Sequence, residues 1–228
     1  MYNRSSPKYE IITEKFSLEI SPSKTTLITF TNPTNYFALC GSSHEFDYIF
    51  SDGILLTLLY NKRFNRRTNR VSFDFGGIAH DVFRHAEVQS LSLAIIGATE
   101  QENHVAVKRI KEKYRNLNVV HAISGYKSRK LILEKLKLQP VDIIICGMGS
   151  PLQENFLIEC KSILSNNFTG FTCGGFLTQT ALSEKYYTDF VNKYHLRWLV
   201  RMVRHQHVRD KLFIDYPKFL IKWYVGLR

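Results

Sequence analysis

Short apolar runs punctuate the chain, each stopped by glycine, proline, serine or aspartate and most followed by a stretch with helical spacing. Residues 25–30 (TTLITF) are the first run; β-branched residues dominate it and Asn32-Pro33 ends it, as in a buried strand. A short helical stretch follows from 34 to 40. Residues 46–50 read as a second strand ending at Ser51-Asp52-Gly53, and 54–60 as a helix. Beyond Gly76-Gly77 a helix is expected to about residue 85. Residues 91–96 (LSLAII) predict a strand, and 100–115 a helix, with Val105, Ile110 and Tyr114 at helical spacing. Residues 118–122 predict a strand and 128–138 a helix. The clearest buried strand is 141–146 (VDIIIC), followed by Gly147-Met148-Gly149-Ser150-Pro151 and a helix over 152–164. Residues 168–173 form the last strand, closed by Gly174-Gly175.

Strands alternating with helices predict an α/β, Rossmann-like, mostly parallel sheet with helices on both faces. Ligands of such sheets lie outside the carboxyl ends of the strands. Those ends carry Asn32, Asp52, Gly97, Gly149, Ser150, Gly174 and Gly175, which makes them candidate site residues from pattern alone.

The texture changes beyond about residue 186. Residues 193–228 hold nine Lys or Arg and two acids, which is +7 of the chain's net +11. Trp198, Trp223 and other aromatics interleave with these charges, as in basic amphipathic helices that lie on a membrane rather than cross it. A helix pair packed on the domain with a solvated basic face is the plainer alternative. Three segments are therefore expected: a polar N-terminal arm (1–24), a catalytic α/β domain (25–185) and a basic helical C-terminal appendage (186–228).

A pI near 9.5 points to an anionic partner: nucleic acid, a phosphorylated substrate or an acidic membrane. Hydrophobic residues at 44% exclude a disordered chain. The N-terminus has no continuous apolar stretch of signal-peptide type, and no segment approaches the roughly 20 apolar residues of a transmembrane helix. A cytoplasmic protein with peripheral membrane contact is expected. The four cysteines form no CxxC pair and read as reduced, structural thiols.

Six ordered patches resemble one family. TFTNP (29–33) is similar to its T-x-x-N-P, SDG (51–53) to its A/P-D-G, and RVSFD (70–74) to its R-V-x-G-x-D. GMGSPLQE (147–154) resembles G-x-G-S/V-P-K-Q-E, the most specific of the set. FTCGGF (171–176) resembles V-G-V-G-G-x-F, and LRWLVR (196–201) resembles L-E-W-L-Y-R. The family is WecG/TagA/CpsF, glycosyltransferase family 26, and the resemblance runs from about residue 25 to the C-terminus. It implies inverting, metal-independent transfer of a sugar from a UDP-sugar to a sugar on a polyprenyl diphosphate, in surface polysaccharide assembly. It places the proposed catalytic base on Asp52.

Residue chemistry agrees with that role, since an acceptor hydroxyl must lose its proton as it attacks the anomeric carbon. The alternative for Asp52 is a helix N-cap. No Asp-x-Asp pair is present to hold a metal, so no cofactor is expected and cations must face the diphosphates: Arg70, Arg201, Arg204 and Arg209. Asn32, Arg70, Gly149, Ser150, Gln153, Gly174 and Gly175 are the candidate substrate contacts. Arg201, Arg204, Arg209, Trp198 and Trp223 are candidates for lipid-diphosphate or membrane contact. Asn32 and Gln153 have alternative readings as turn-shaping and capping residues, Arg70 as a surface charge and Gly174-Gly175 as a plain turn, and His205-x-His207 lacks a third ligand for a metal.

Three departures sit where acceptor and lipid contacts are expected. YYT (186–188) replaces the family R-A-P, HQHV (205–208) its E-P-x-R with Arg209 one place later, and Phe30 a further family threonine two before the Asn. The competing classes are a basic nucleic-acid-binding protein, against which no RNP1, KH or helix-turn-helix pattern appears, and an inactive transferase-like subunit. The sugar and the choice between monomer and homo-oligomer stay open on the sequence.

Overall fold

The computed structural model of the chain describes residues 7–13, 23–182 and 211–225. Six strands form one sheet: β1 (Thr26–Thr31), β2 (Tyr48–Ser51), β3 (Ser92–Gly97), β4 (Asn118–Ile123), β5 (Ile143–Gly147) and β6 (Thr169–Thr172). Their order is β2-β1-β6-β5-β3-β4, and every neighbouring pair is parallel. Every residue of β1 and β6 is buried. That explains why these strands read as continuous runs: a parallel sheet covered on both faces has no solvent side to impose alternation.

The helices are α1 (Tyr36–Leu39), α2 (Ile54–Phe64), α3 (Ala79–Val88), α4 (Glu100–Lys113), α5 (Arg129–Leu138), α6 (Leu152–Ile163), α7 (Phe176–Leu182) and α8 (Tyr216–Tyr224). Helix α4 begins with a full capping box, Thr99 and Glu102 each satisfying the other's backbone N–H. Ser128 caps α5 through the Leu131 amide. Helix α7 was not anticipated from the sequence; it occupies the segment after Gly174-Gly175.

Two cores sandwich the sheet. One face packs α1, α2, α5, α6 and α8, through Tyr36, Leu56, Tyr60, Ile132, Phe156 and Trp223 among others. The opposite face packs α3, α4 and α7, through Phe83, Ala106, Ile110, Phe176 and Leu177. The helices after β1 and β5 therefore lie on one face, while the helix after β6, the strand between them, lies on the other. A crevice opens at the carboxyl end of a parallel sheet wherever following helices diverge in this way.

Residues 7–13 are tied to the domain. Tyr9 and Ile11 are buried, and the Ile12 amide donates to Ile49 O at 2.9 Å along the outer edge of β2. This part of the N-terminal arm extends the sheet edge.

One expectation is corrected at the other end. Trp223 was expected at a membrane surface, yet it is only 1% exposed, packed edge-on against Tyr36 and Phe64. Phe219, one turn earlier, is 2% exposed. The Arg63 guanidinium covers the Trp223 ring at 5.6 Å and donates to Trp223 O at 2.9 Å, holding the C-terminal carbonyl end of α8 against α2. Residues spaced i and i+4 share a helix face, and here that face is core. The outward residues are Phe213, Ile214, Ile221, Tyr224 and Val225, with Lys218 and Lys222 beside them. Among the described residues no helix is long and apolar enough to cross a membrane.

Trp223→Ala is expected to cost about 3–5 kcal/mol by emptying this pocket. That corresponds to a fall in Tm on the order of 10 °C for a chain of this size. The neighbouring exposed Tyr224→Ala should change stability by no more than about 0.5 kcal/mol. Calorimetry of the two variants checks the assignment, and equal effects would contradict it.

Candidate active site

Four strand-end turns meet at the crevice. The Asp52 amide donates to Thr31 O at 2.8 Å, joining the end of β2 to the end of β1. Gly53 lies so close to the next turn that a Cβ there would sit 2.8 Å from Pro33 Cδ and 3.4 Å from Asn32 Cβ. Only glycine fits, so the SDG and TNP turns are in direct contact. The β5 and β6 turns are joined as well: the Gly174 amide donates to Gln153 Oε1 at 3.1 Å.

Asp52 is partly exposed at the mouth of the crevice and pairs with Arg70. Arg70 Nη2 donates to Asp52 Oδ1 at 3.0 Å, and Arg70 Nε donates to the Asp52 main-chain carbonyl at 2.9 Å. Arg70 reaches this position because residue 70 runs parallel to Ser51, with the Val71 amide donating to Ser51 O at 2.8 Å. The preceding loop is pinned by Asn61, whose side chain accepts from the Thr68 amide and hydroxyl and donates to the Thr68 carbonyl.

Asn32 shapes its own turn: its Oδ1 accepts from the Thr34 amide and hydroxyl. The buried Asn35 braces that turn, accepting from the Asn32 amide at 2.7 Å and donating to Phe30 O at 3.1 Å. Gln153, expected to reach substrate, is 4% exposed. Its Nε2 donates to Glu154 Oε1 at 3.0 Å, so the amide is oriented from both ends. Glu154 is itself buried, and its Oε2 has no partner among the described residues.

Gly149 (φ +78°) and Gly174 (φ +53°) both adopt left-handed backbone, and a Cβ on either would meet nothing within 4 Å. The space beside these adjacent turns is open, as a site requires for a ligand to approach main-chain amides closely. Ser150 is exposed beside them, and Gly175 is also exposed.

No group of three or more His, Cys, Asp or Glu able to hold a metal occurs among the described residues. Cys146, Cys160 and Cys173 are buried free thiols. Burial pushes all three upward, Cys160 to about 12, which removes them as nucleophiles. A separate cavity of about 180 Å³ lies by β4, lined by Glu100, His104, Lys127 and Lys135 among others, and holds none of the clustered residues above.

Comparison with known proteins decides the class of chemistry. The model of the glycosyl transferase WecG/TagA/CpsF family matches residues 19–227. The chain belongs to this family. It is also 38% identical over 205 residues, 87% of this chain and 86% of the relative, to a UDP-Gal:alpha-D-GlcNAc-diphosphoundecaprenol beta-1,4-galactosyltransferase of Shigella boydii. The protein is a glycosyltransferase.

Five of the six family-like patches (29–33, 51–53, 70–74, 147–154 and 171–176) fall within the described residues, and four of them meet at the crevice through the contacts above. RVSFD joins them through Arg70, whereas Asp74 caps its own loop by accepting from the Gly76 amide at 2.8 Å. Trp198, Arg201, Arg204, Arg209 and the His205-x-His207 pair lie outside the described residues. Asn35, Asn61, Thr68 and Glu154 were missed as supports of the candidate site.

The Gln153 tether carries a prediction. Gln153→Ala should lose about 1–3 kcal/mol of stability, since Gly174 N–H and Glu154 each lose a buried partner. Gln153→Glu should cost more at pH 7, because two carboxylates would then face one another in a buried position. One of them would have its folded-state pKa raised above its unfolded value. Its stabilising protonation is therefore complete below the unfolded carboxylate range and is lost as pH rises through the folded value. Urea unfolding of the Glu variant should show less destabilisation at pH 5 than at pH 7; a pH-independent deficit would contradict the pairing.

Proposed function

We propose that this glycosyltransferase moves a sugar from a UDP-sugar to a sugar acceptor carried on a polyprenyl diphosphate, in assembly of a surface polysaccharide. The observation that carries the reading is Asp52, a carboxylate at the carboxyl end of β2, beside a crevice whose β5 and β6 turns present open glycine backbone. Asp52 takes the proton of the acceptor hydroxyl as its oxygen bonds to the anomeric carbon. The bond to the UDP oxygen breaks in the same displacement. The relative's name gives a β-1,4-linked product; starting from a donor whose bond to UDP is α, forming such a link inverts the anomeric carbon, and one in-line step with one base suffices. UDP-galactose and a GlcNAc-diphospholipid are accordingly the first pair to test.

The leaving UDP gains charge that the protein must meet. No Asp-x-Asp pair exists in the sequence to hold a divalent ion, so main-chain amides around Gly149 and Gly174 and the arginines at 201, 204 and 209 take that task without metal. The enzyme works at the inner face of the cytoplasmic membrane. The outward face of α8, with Ile221 and Tyr224 beside Lys218 and Lys222, together with Phe213 just before it, supplies apolar and cationic contact to anionic lipid. Trp223, being core, contributes only by holding that helix in place. Lys and Arg near such a surface add on the order of 1 kcal/mol each, screened beyond about 8 Å at physiological salt.

One transfer assay tests the whole reading. Turnover with acceptor in anionic vesicles should exceed that in neutral vesicles, and high salt should erase the difference. EDTA should leave it unchanged. Asp52→Asn should retain UDP binding, followed by thermal shift, while turnover falls by about two orders of magnitude or more. Near-normal turnover of the Asn variant removes Asp52 as the base, and loss on chelation restored by Mg²⁺ or Mn²⁺ removes the metal-free mechanism.

A further inference from the structure

Arg70 was expected to face the substrate diphosphate, but its geometry serves a different end. A guanidinium offers five N–H donors in a rigid planar fork. In Arg70 one of these, Nε, is anchored on the Asp52 main-chain carbonyl at 2.9 Å, and a second, on Nη2, reaches Oδ1 of the same residue at 3.0 Å. The fork thus grips both the backbone and the carboxylate of one residue, and fixing the first contact fixes the direction of the second. A lysine, with a compact ammonium on a flexible stem, cannot reproduce that pair of directions.

The support behind the fork is equally specific. Residue 70 is held parallel to Ser51 by the Val71 amide bond to Ser51 O, and Asn61 clamps Thr68 two residues earlier. The Thr57 hydroxyl, on the same helix as Asn61, is hydrogen-bonded to Ser51 Oγ at 2.8 Å and to Gly53 O at 3.0 Å. Helix α2 therefore braces both sides of the Asp52–Arg70 pair. Both side chains are partly exposed, Arg70 at 21% and Asp52 at 30%, so the pair reaches the surface of the crevice together.

We infer that Arg70 is a positioning residue for Asp52, aiming its carboxylate at the acceptor hydroxyl, and not a ligand of the nucleotide diphosphate. This rests on Asp52 being the base. Its consequence is that Arg70 governs the rate of transfer and leaves affinity for the nucleotide alone.

A double-mutant cycle on the full chain tests it, using Arg70→Lys, Arg70→Gln, Asp52→Asn and the two combined variants. UDP affinity is measured by calorimetry below each variant's melting temperature, and turnover by the transfer assay. Arg70→Lys is expected to lower kcat about tenfold or more with UDP affinity within about twofold of native, and in the Asp52→Asn background to cause no further loss, because residues acting as one unit are non-additive. Arg70→Gln should behave alike with a deeper loss, and serves if the Lys variant fails to fold. A tenfold or greater weakening of UDP binding in a folded Arg70 variant overturns the proposal, as does an equal rate loss in the native and Asp52→Asn backgrounds. Native turnover by Asp52→Asn alone overturns the base reading itself, and is read from that single variant before any Arg70 variant is considered.

Discussion

Strand β6 is inserted between β1 and β5, and the geometry of the site depends on that insertion. The last strand of the sheet arrives after the strands on either side of it have been made, with Thr26, Leu27 and Ile28 registered against Thr169, Gly170 and Phe171. Buried hydroxyls lock it laterally: Thr29 Oγ1 and Thr172 Oγ1 lie 3.0 Å apart near the carboxyl end, where an unpaired polar group would be costly. Because β6 sends α7 to the face opposite α1 and α6, its end becomes the floor of a crevice. Gly174 then falls within reach of Gln153, and the turn after β5 is tied to the turn after β6.

The candidate site assembled there uses few side chains and much backbone. Glycines 149 and 174 open space beside adjacent turns, and Gly53 lets the turn bearing Asp52 press against Asn32-Pro33. The polar side chains nearest the crevice are largely engaged with one another: Asn32 with Thr34, Gln153 with Glu154 and Gly174, Arg70 with Asp52. In the proposed reaction such mutual engagement would hold these groups in place before substrate arrives, lowering what must be reorganised.

Much of this was legible in the sequence, for reasons that differ by element. Runs such as VDIIIC announce themselves because strands buried on both faces need unbroken apolar character, and all six expected strands occur within a few residues of their expected bounds. Residues at the strand ends were equally legible, since a parallel sheet delivers every β-to-α turn to one edge. What escaped depends on contacts with no local signature. The Arg70 bond to Asp52 spans 18 residues and follows no period. The Asn61 clamp on Thr68 and the Gln153–Gly174 tether are likewise visible only once the turns are placed. Trp223 misled because an amphipathic helix with basic residues has one pattern for two uses: the same i, i+4 aromatics that would dip into a bilayer here fill a pocket between α1 and α2. Its outward face keeps the apolar and basic character that first suggested a membrane.

The central claim is that the nucleotide binds over the joined turns of β5 and β6, next to Asp52. Amide NMR during UDP titration reads this directly. The account expects the largest shifts at Gly149, Ser150, Gly174 and Gly175, saturating together, with Asp52 and Gly53 among the amides that follow. Shifts concentrated instead around His104, Lys127 and Lys135 at the β4 cavity, with the glycine turns unmoved, would contradict it.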